Sequence, residues 1–165
     1  MNTNIKYILI AEDDPRDLQL TMAALDEYNL VNKISVVSDG EETLDYLYCR
    51  GKFKTRPPGN PVAVLLDLKM PKVTGIEVLK IIKADNNLKT IPIIVLTSSR
   101  EDPDLIECYK SGVNAYVVKP VDFDEFMGAI KQLGLFWMAV NEPPPQMAPE
   151  KTSIQSGVFI SAGKK

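Results

Sequence analysis

A chain of 165 residues, 45% hydrophobic and 25% charged, is about one domain long and can bury roughly two-thirds of its unfolded surface. Nineteen basic against 22 acidic residues leave a net charge of −3, which argues against a polyanion-binding surface spread over the whole molecule. Histidine is absent, which excludes Ser-His-Asp and Cys-His catalysis, a His-ligated metal and a phosphohistidine donor within the chain.

Five β-rich runs recur, and each is followed by a helical pattern. Tyr7–Ala11 precedes Leu18, Met22 and Leu25 at helical spacing, and Ile34–Val37 precedes Leu44, Leu47 and Tyr48. The Pro/Gly-rich stretch Arg50–Pro61 then reads as a loop. Val62–Leu66 leads to Ile76, Leu79 and Ile82, and Ile91–Leu96 leads to a short helix carrying Leu105, Ile106 and Tyr109. Ala115–Val118 leads to the stripe Phe123, Phe126, Met127, Ile130 and Leu133. The β runs are continuous rather than alternating, as strands buried on both faces of a parallel sheet require, so the pattern predicts a doubly wound α/β fold. Asp39-Gly40 and Asp122 mark helix starts, Asp122 as an N-cap ahead of Glu125.

The folded domain is expected over residues 1–137, and Met138–Lys165 reads as a Pro-rich tail, partly disordered or docked as an extension. Ser156–Ser161 is a candidate short strand within it. Cys49 and Cys108 lack CxxC spacing and read as reduced thiols of a cytoplasmic protein. Met1–Lys6 does not read as a signal peptide, and apolar runs of about five residues fall far short of the roughly 20 that span a membrane.

In an open α/β sheet, ligands bind beyond the carboxyl ends of the strands. There the sequence places Glu12-Asp13-Asp14 after the first strand, Asp67 after the third, Thr97-Ser98-Ser99 after the fourth and Lys119-Pro120 after the fifth. Each has a plainer reading as a helix cap, a turn former or a solvated lysine. Together they bring acids, a hydroxyl and an amine to one edge. Clustered carboxylates repel, and a hard divalent cation with oxygen ligands relieves them. A cation, a lysine and a hydroxyl donor suit phosphoryl transfer, with a carboxylate as acceptor.

The stretches LIAEDDP (Leu9–Pro15), LLDLKMPKVTG (Leu65–Gly75), PIIVLTSS (Pro92–Ser99) and NAYVVKP (Asn114–Pro120) resemble the CheY-like response-regulator receiver domains of two-component signalling, from about Ile5 to Phe136. That resemblance implies a five-stranded sheet in the order 2-1-3-4-5 with helices on both faces. It implies Asp67 as phosphoacceptor, with Mg²⁺ held by Asp13, Glu12 (usually through water), Asp67 and the backbone carbonyl of Lys69. It further implies Lys119 as the phosphate-pairing lysine, Thr97 as the hydroxyl that moves onto the phosphate, and Tyr116 as the aromatic switch that turns inward on activation. The implied partner is a sensor histidine kinase, and the implied output is contact with a downstream protein. The long Arg50–Pro61 loop, Ile81–Pro92 and Leu135-Phe136-Trp137 are similar to single-domain receivers that serve phytochrome-type kinases. Such a chain catalyses only its own phosphotransfer and autodephosphorylation. Lys69 varies widely in the family and tunes dephosphorylation.

Rival readings are weaker. A dehalogenase-like phosphatase needs a second acid two residues after its nucleophile, where this chain has Lys69. An FMN-binding flavodoxin would meet Glu12-Asp13-Asp14 where its phosphate loop belongs, and no GxxxxGK[ST] run is present. Too little chain follows Phe136 for a DNA-binding module, so neither nucleic acid nor a membrane is an expected partner. The apolar end Leu133, Leu135, Phe136 and Trp137 reads either as core or as a homodimer or kinase-docking surface.

Overall fold

The computed structural model describes residues 6–30 and 33–145. Five strands and five helices alternate through it: β1 Ile8–Ala11, α1 Pro15–Asp26, β2 Ile34–Val37, α2 Gly40–Leu47, β3 Ala63–Leu66, α3 Gly75–Ala84, β4 Ile93–Thr97, α4 Asp102–Lys110, β5 Ala115–Val118 and α5 Phe123–Leu135. The sheet is parallel, in the order β2-β1-β3-β4-β5. The doubly wound α/β architecture expected from the alternating pattern is therefore present, in the strand order the resemblance implies. The strand order reverses between β1 and β3, where Ile8 lies beside Ile34 on one side and Ala63 on the other. That is the position at which doubly wound sheets open a ligand crevice.

The hydrophobic pattern explains the layers. Every residue of β1, β3 and β4 is buried, whereas the edge strands β2 and β5 are only part-buried. Leu9, Val64, Leu66, Ile93 and Val95 point into one core cluster with Leu44, Leu79 and Ile82. Ile8, Ile10, Leu65 and Ile94 alternate into the other with Leu25, Phe126 and Ile130. At roughly 1.5–3 kcal/mol for each large apolar side chain buried, these two layers supply most of the driving force for folding.

Local differences from the sequence reading have identifiable causes. β4 begins at Ile93 rather than Ile91. Pro92 cannot donate to the ladder, although its carbonyl still accepts from Val64 N–H at 2.9 Å. α4 buries only Cys108, leaving Leu105, Ile106 and Tyr109 exposed. α5 does not end at Trp137: a π-helical turn carries it over Phe136–Val140 and buries Met138 in the second core cluster. Met138, the first residue of the stretch expected as a tail, thus packs on the fold. Leu133 and Trp137 pack against that cluster while Phe136 and Val140 face outward. The candidate strand Ser156–Ser161 lies outside the described residues. No helix among the described residues is long and apolar enough to cross a membrane.

The long α2–β3 connection includes a short 3₁₀ turn at Gly51–Phe53 and is organised by Arg56. The Arg56 guanidinium donates to the carbonyls of Tyr46 (2.7 Å), Pro57 (2.9 Å) and Gly59 (3.0 Å) and lies over the Tyr46 ring at 4.4 Å. Through Tyr46 O, which also accepts from Cys49 N–H at 3.2 Å, it ties the last turn of α2 to the loop that follows.

Candidate phosphoacceptor site

Ladder bonds carry the chemistry-bearing residues to the carboxyl edge of the sheet. Glu12 N–H donates to Val37 O (3.1 Å), Asp67 N–H to Ala11 O (3.0 Å) and Lys119 N–H to Thr97 O (2.7 Å). Each residue thus sits one step beyond its strand, with its backbone still tied to the neighbouring strand. Asp14 ends the first of these turns by capping α1, accepting from the N–H groups of Arg16 (2.8 Å) and Asp17 (3.3 Å). The capping alternative open for the three acids thus applies to Asp14, while Glu12 and Asp13 turn to the crevice.

Carboxylate oxygens of Glu12, Asp13 and Asp67 all lie within 4.8 Å of one another. Glu12 and Asp67 are buried and Asp13 is exposed. Burial pushes the Asp67 carboxyl above its ordinary range, and the charge of Asp13 adds to this, against the opposing pull of Lys119 and the Leu68 N–H. Burial likewise raises Glu12, against the hydrogen bond from Lys119. Three oxygen donors crowded around one point, with a deficit of positive charge, fit a hard divalent cation.

Lys119 reaches this cluster from β5. Its Nζ donates to Glu12 Oε2 at 2.6 Å and to Asp17 Oδ2 at 2.8 Å, and stands 4.0 Å from Asp67 Oδ1. Burial alone would lower its pKa, but the bonds to Asp17 and Glu12 outweigh it and hold the ammonium above its ordinary value. Thr97 is fully buried, and its Oγ1 accepts from Ser99 N–H at 3.2 Å. The loop after Asp67 is closed by Gly75 N–H donating to Leu68 O at 2.9 Å. Gly75 is required there, because a Cβ would stand 2.2 Å from Asp67 O. Lys69 lies exposed in the same loop.

Glu12, Asp13, Asp67, Thr97 and Lys119 thus meet at one edge. Tyr116 lies in β5 beside Val95, two positions before Thr97 in β4 and three residues before Lys119. Its ring is part-buried against the first core cluster, and its hydroxyl donates to Ser99 O at 3.2 Å. Tyr116 is therefore tethered to the β4–α4 loop. That loop is held in turn by Ser99 Oγ donating to Asp104 at 2.6 Å. Sequence reasoning missed Asp17. The available signal was Pro15, which favours the first helical position and so puts Asp17 in the first turn of α1, at the crevice.

The profile of the response regulator receiver domain matches residues 8–131. The chain belongs to the response regulator receiver family. Among curated relatives of this receiver, the probable methanogenesis regulatory protein FilR2 of Methanothrix harundinacea is 36% identical over 138 residues, 83% of this chain and 86% of that protein. The phosphorylated cyanobacterial phytochrome response regulator RcpA superposes with a TM-score of 0.78 at 33% identity, covering 84% of this chain and 98% of RcpA. The bacteriophytochrome response regulator RtBRR is 52% identical with a TM-score of 0.68, each chain being covered to 86%. The receiver is thus similar to phytochrome-associated response regulators along most of its length.

Proposed function

We propose that this receiver is a stand-alone response regulator that accepts a phosphoryl group on Asp67 from the phosphohistidine of a sensor histidine kinase. The observation that carries the reading is the meeting of Asp67 with two further carboxylates, one lysine and one buried hydroxyl at the strand-order reversal. Glu12, Asp13, Asp67 and the carbonyl of Lys69 would hold Mg²⁺, which when bound supplies charge neutralisation for the transferring phosphoryl oxygens.

An Asp67 carboxylate oxygen attacks phosphorus, forming the O–P bond as the N–P bond to the donor imidazole breaks. The electron pair stays on that nitrogen, which takes a proton from solvent. The new dianionic oxygens draw Lys119 across the 4.0 Å that separates it from Asp67 and draw the Thr97 hydroxyl towards them. Movement of Thr97 disturbs its bond to Ser99 N–H, and Ser99 holds both Tyr116 and Asp104. A local charge change is thereby read out at α4 and β5, and a downstream protein recognises the altered face. Hydrolysis of the acyl phosphate at the same site resets it.

A phytochrome-type kinase is the proposed donor, since RcpA is a phytochrome response regulator and RtBRR a bacteriophytochrome response regulator, the latter 52% identical to this chain over the matched 86%. The test is labelling by radioactive acetyl phosphate with Mg²⁺. Wild type should acquire hydroxylamine-labile label that Asp67→Asn lacks, and equal labelling of the two would overturn the assignment. Phosphotransfer profiling against phytochrome-type and unrelated kinases tests the donor.

A further inference from the structure

Lys119 has three acidic neighbours, and its distances to them are unequal. It is within hydrogen-bonding reach of Glu12 (2.6 Å) and Asp17 (2.8 Å), but 4.0 Å from Asp67 is beyond that reach. Two of its three N–H groups are therefore committed away from the acceptor. The two committed partners differ in environment. The Glu12 side chain is 5% exposed, whereas that of Asp17 is 35% exposed. Left without its cation, Glu12 would remain a buried charge, while Asp17 would be taken up by water at little cost. The Asp17 bond is thus the one that can be exchanged.

We propose that Asp17 is a positioning residue that parks Lys119 on α1 in the unphosphorylated state, and that Lys119 reaches a phosphoryl group on Asp67 by releasing Asp17 while keeping Glu12. The inference rests on the reading of Asp67 as phosphoacceptor and adds a residue that opposes activation. Asp17 lies in the first turn of α1, where an acid also favours the helix through its dipole. A purely structural role of that kind would show in the melting temperature and leave the affinity for a phosphoryl mimic unmoved.

The experiment is calorimetric titration of beryllofluoride, a phosphoryl mimic, into the full chain at saturating Mg²⁺. The variants compared are Asp17→Asn, Asp14→Asn and Asp67→Asn. Asp14→Asn removes one negative charge from the same helix end but retains an N-cap, and Asp14 feels the Lys119 charge without forming an ion pair with it. Wild type should bind and Asp67→Asn should not. Asp17→Asn should bind roughly three-fold more tightly than wild type, the size of effect expected for one half-exposed ion pair, and Asp14→Asn should match wild type. An unchanged or weaker affinity in Asp17→Asn overturns the inference. So does an equal gain in Asp14→Asn, which would mark a general field effect. Failure of wild type to bind overturns the reading of Asp67 as well.

Discussion

Two glycines respond oppositely to the same substitution. A methyl group at position 75 would stand 2.2 Å from Asp67 O, 2.7 Å from Leu68 Cα and 3.0 Å from Asp67 C. All three atoms are backbone, so no rotamer change relieves the contact, and the first must open by more than an ångström to reach ordinary van der Waals separation. Overpacking of this kind costs about 1–3 kcal/mol. In a domain of this size each kcal/mol shifts the melting temperature by about 2–4 °C, so Gly75→Ala should melt roughly 2–12 °C lower. The strain falls on Asp67, the proposed acceptor, and a misplacement of about 1 Å at a reacting group can cost on the order of a hundredfold in rate. At position 128, in the middle of α5, a Cβ would meet nothing within 4 Å. Gly128→Ala should stabilise by about 0.5–1 kcal/mol through backbone entropy alone. Calorimetric melts and initial rates of labelling by acetyl phosphate measure both effects. A Gly75→Ala protein that melts and labels like wild type would refute the argument that backbone crowding makes this glycine obligatory.

Other outcomes follow from the same geometry. Arg56→Ala, which loses three carbonyl contacts and its stacking on Tyr46, should destabilise by about 1–3 kcal/mol in urea melts, and Arg56→Lys should not restore the loss because an ammonium cannot reproduce the fork. Burial, helped by the charges of Asp104 and Glu107, pushes the Cys108 thiol up to about 11 from an ordinary 9.0. Ellman's reagent at pH 8 should therefore titrate Cys49, which is part-exposed, well before Cys108, and two thiols reacting at one rate would contradict this. Because the folded pKa is raised, the folded chain keeps a proton that the unfolded chain loses above pH 9.0, so stability should decline as pH rises from there towards about 11. Cys108→Ala should flatten that alkaline limb in urea titrations at stepped pH.

Much of this is legible in the sequence. Continuous runs such as Val64-Leu65-Leu66 can be satisfied only between two layers, so the sheet and its helices followed from hydrophobic pattern. Strand ends then located Glu12, Asp67, Thr97 and Lys119, because a parallel sheet points all carboxyl ends one way. What sequence could not supply depends on distances between elements remote in the chain. The Lys119–Asp17 bond joins residues 102 positions apart. The capping role of Asp14 and the crevice-facing role of Asp13 depend on where the first turn of α1 begins, which adjacent letters do not distinguish. The α5 extension was obscured by composition: Pro143-Pro144-Pro145 announces an end to helix, but the chain turns helical through Val140 before reaching it. Helical spacing in Leu105, Ile106 and Tyr109 identified α4 correctly, yet spacing alone does not say whether a stripe faces a core or water.

The long connection gathered around Arg56 leaves the molecule at the amino ends of the strands, tied there to Tyr7 by the Tyr7 hydroxyl donating to Gly59 O at 3.1 Å. The carboxylates and Lys119 occupy the opposite pole, with the full length of the buried sheet between. The molecule therefore has two independently variable ends. A change at the Arg56 end therefore falls far from Asp67, the proposed phosphoacceptor. Lys72, whose ammonium pairs with Asp39 and Glu41, stands at that other pole, in the loop after Asp67.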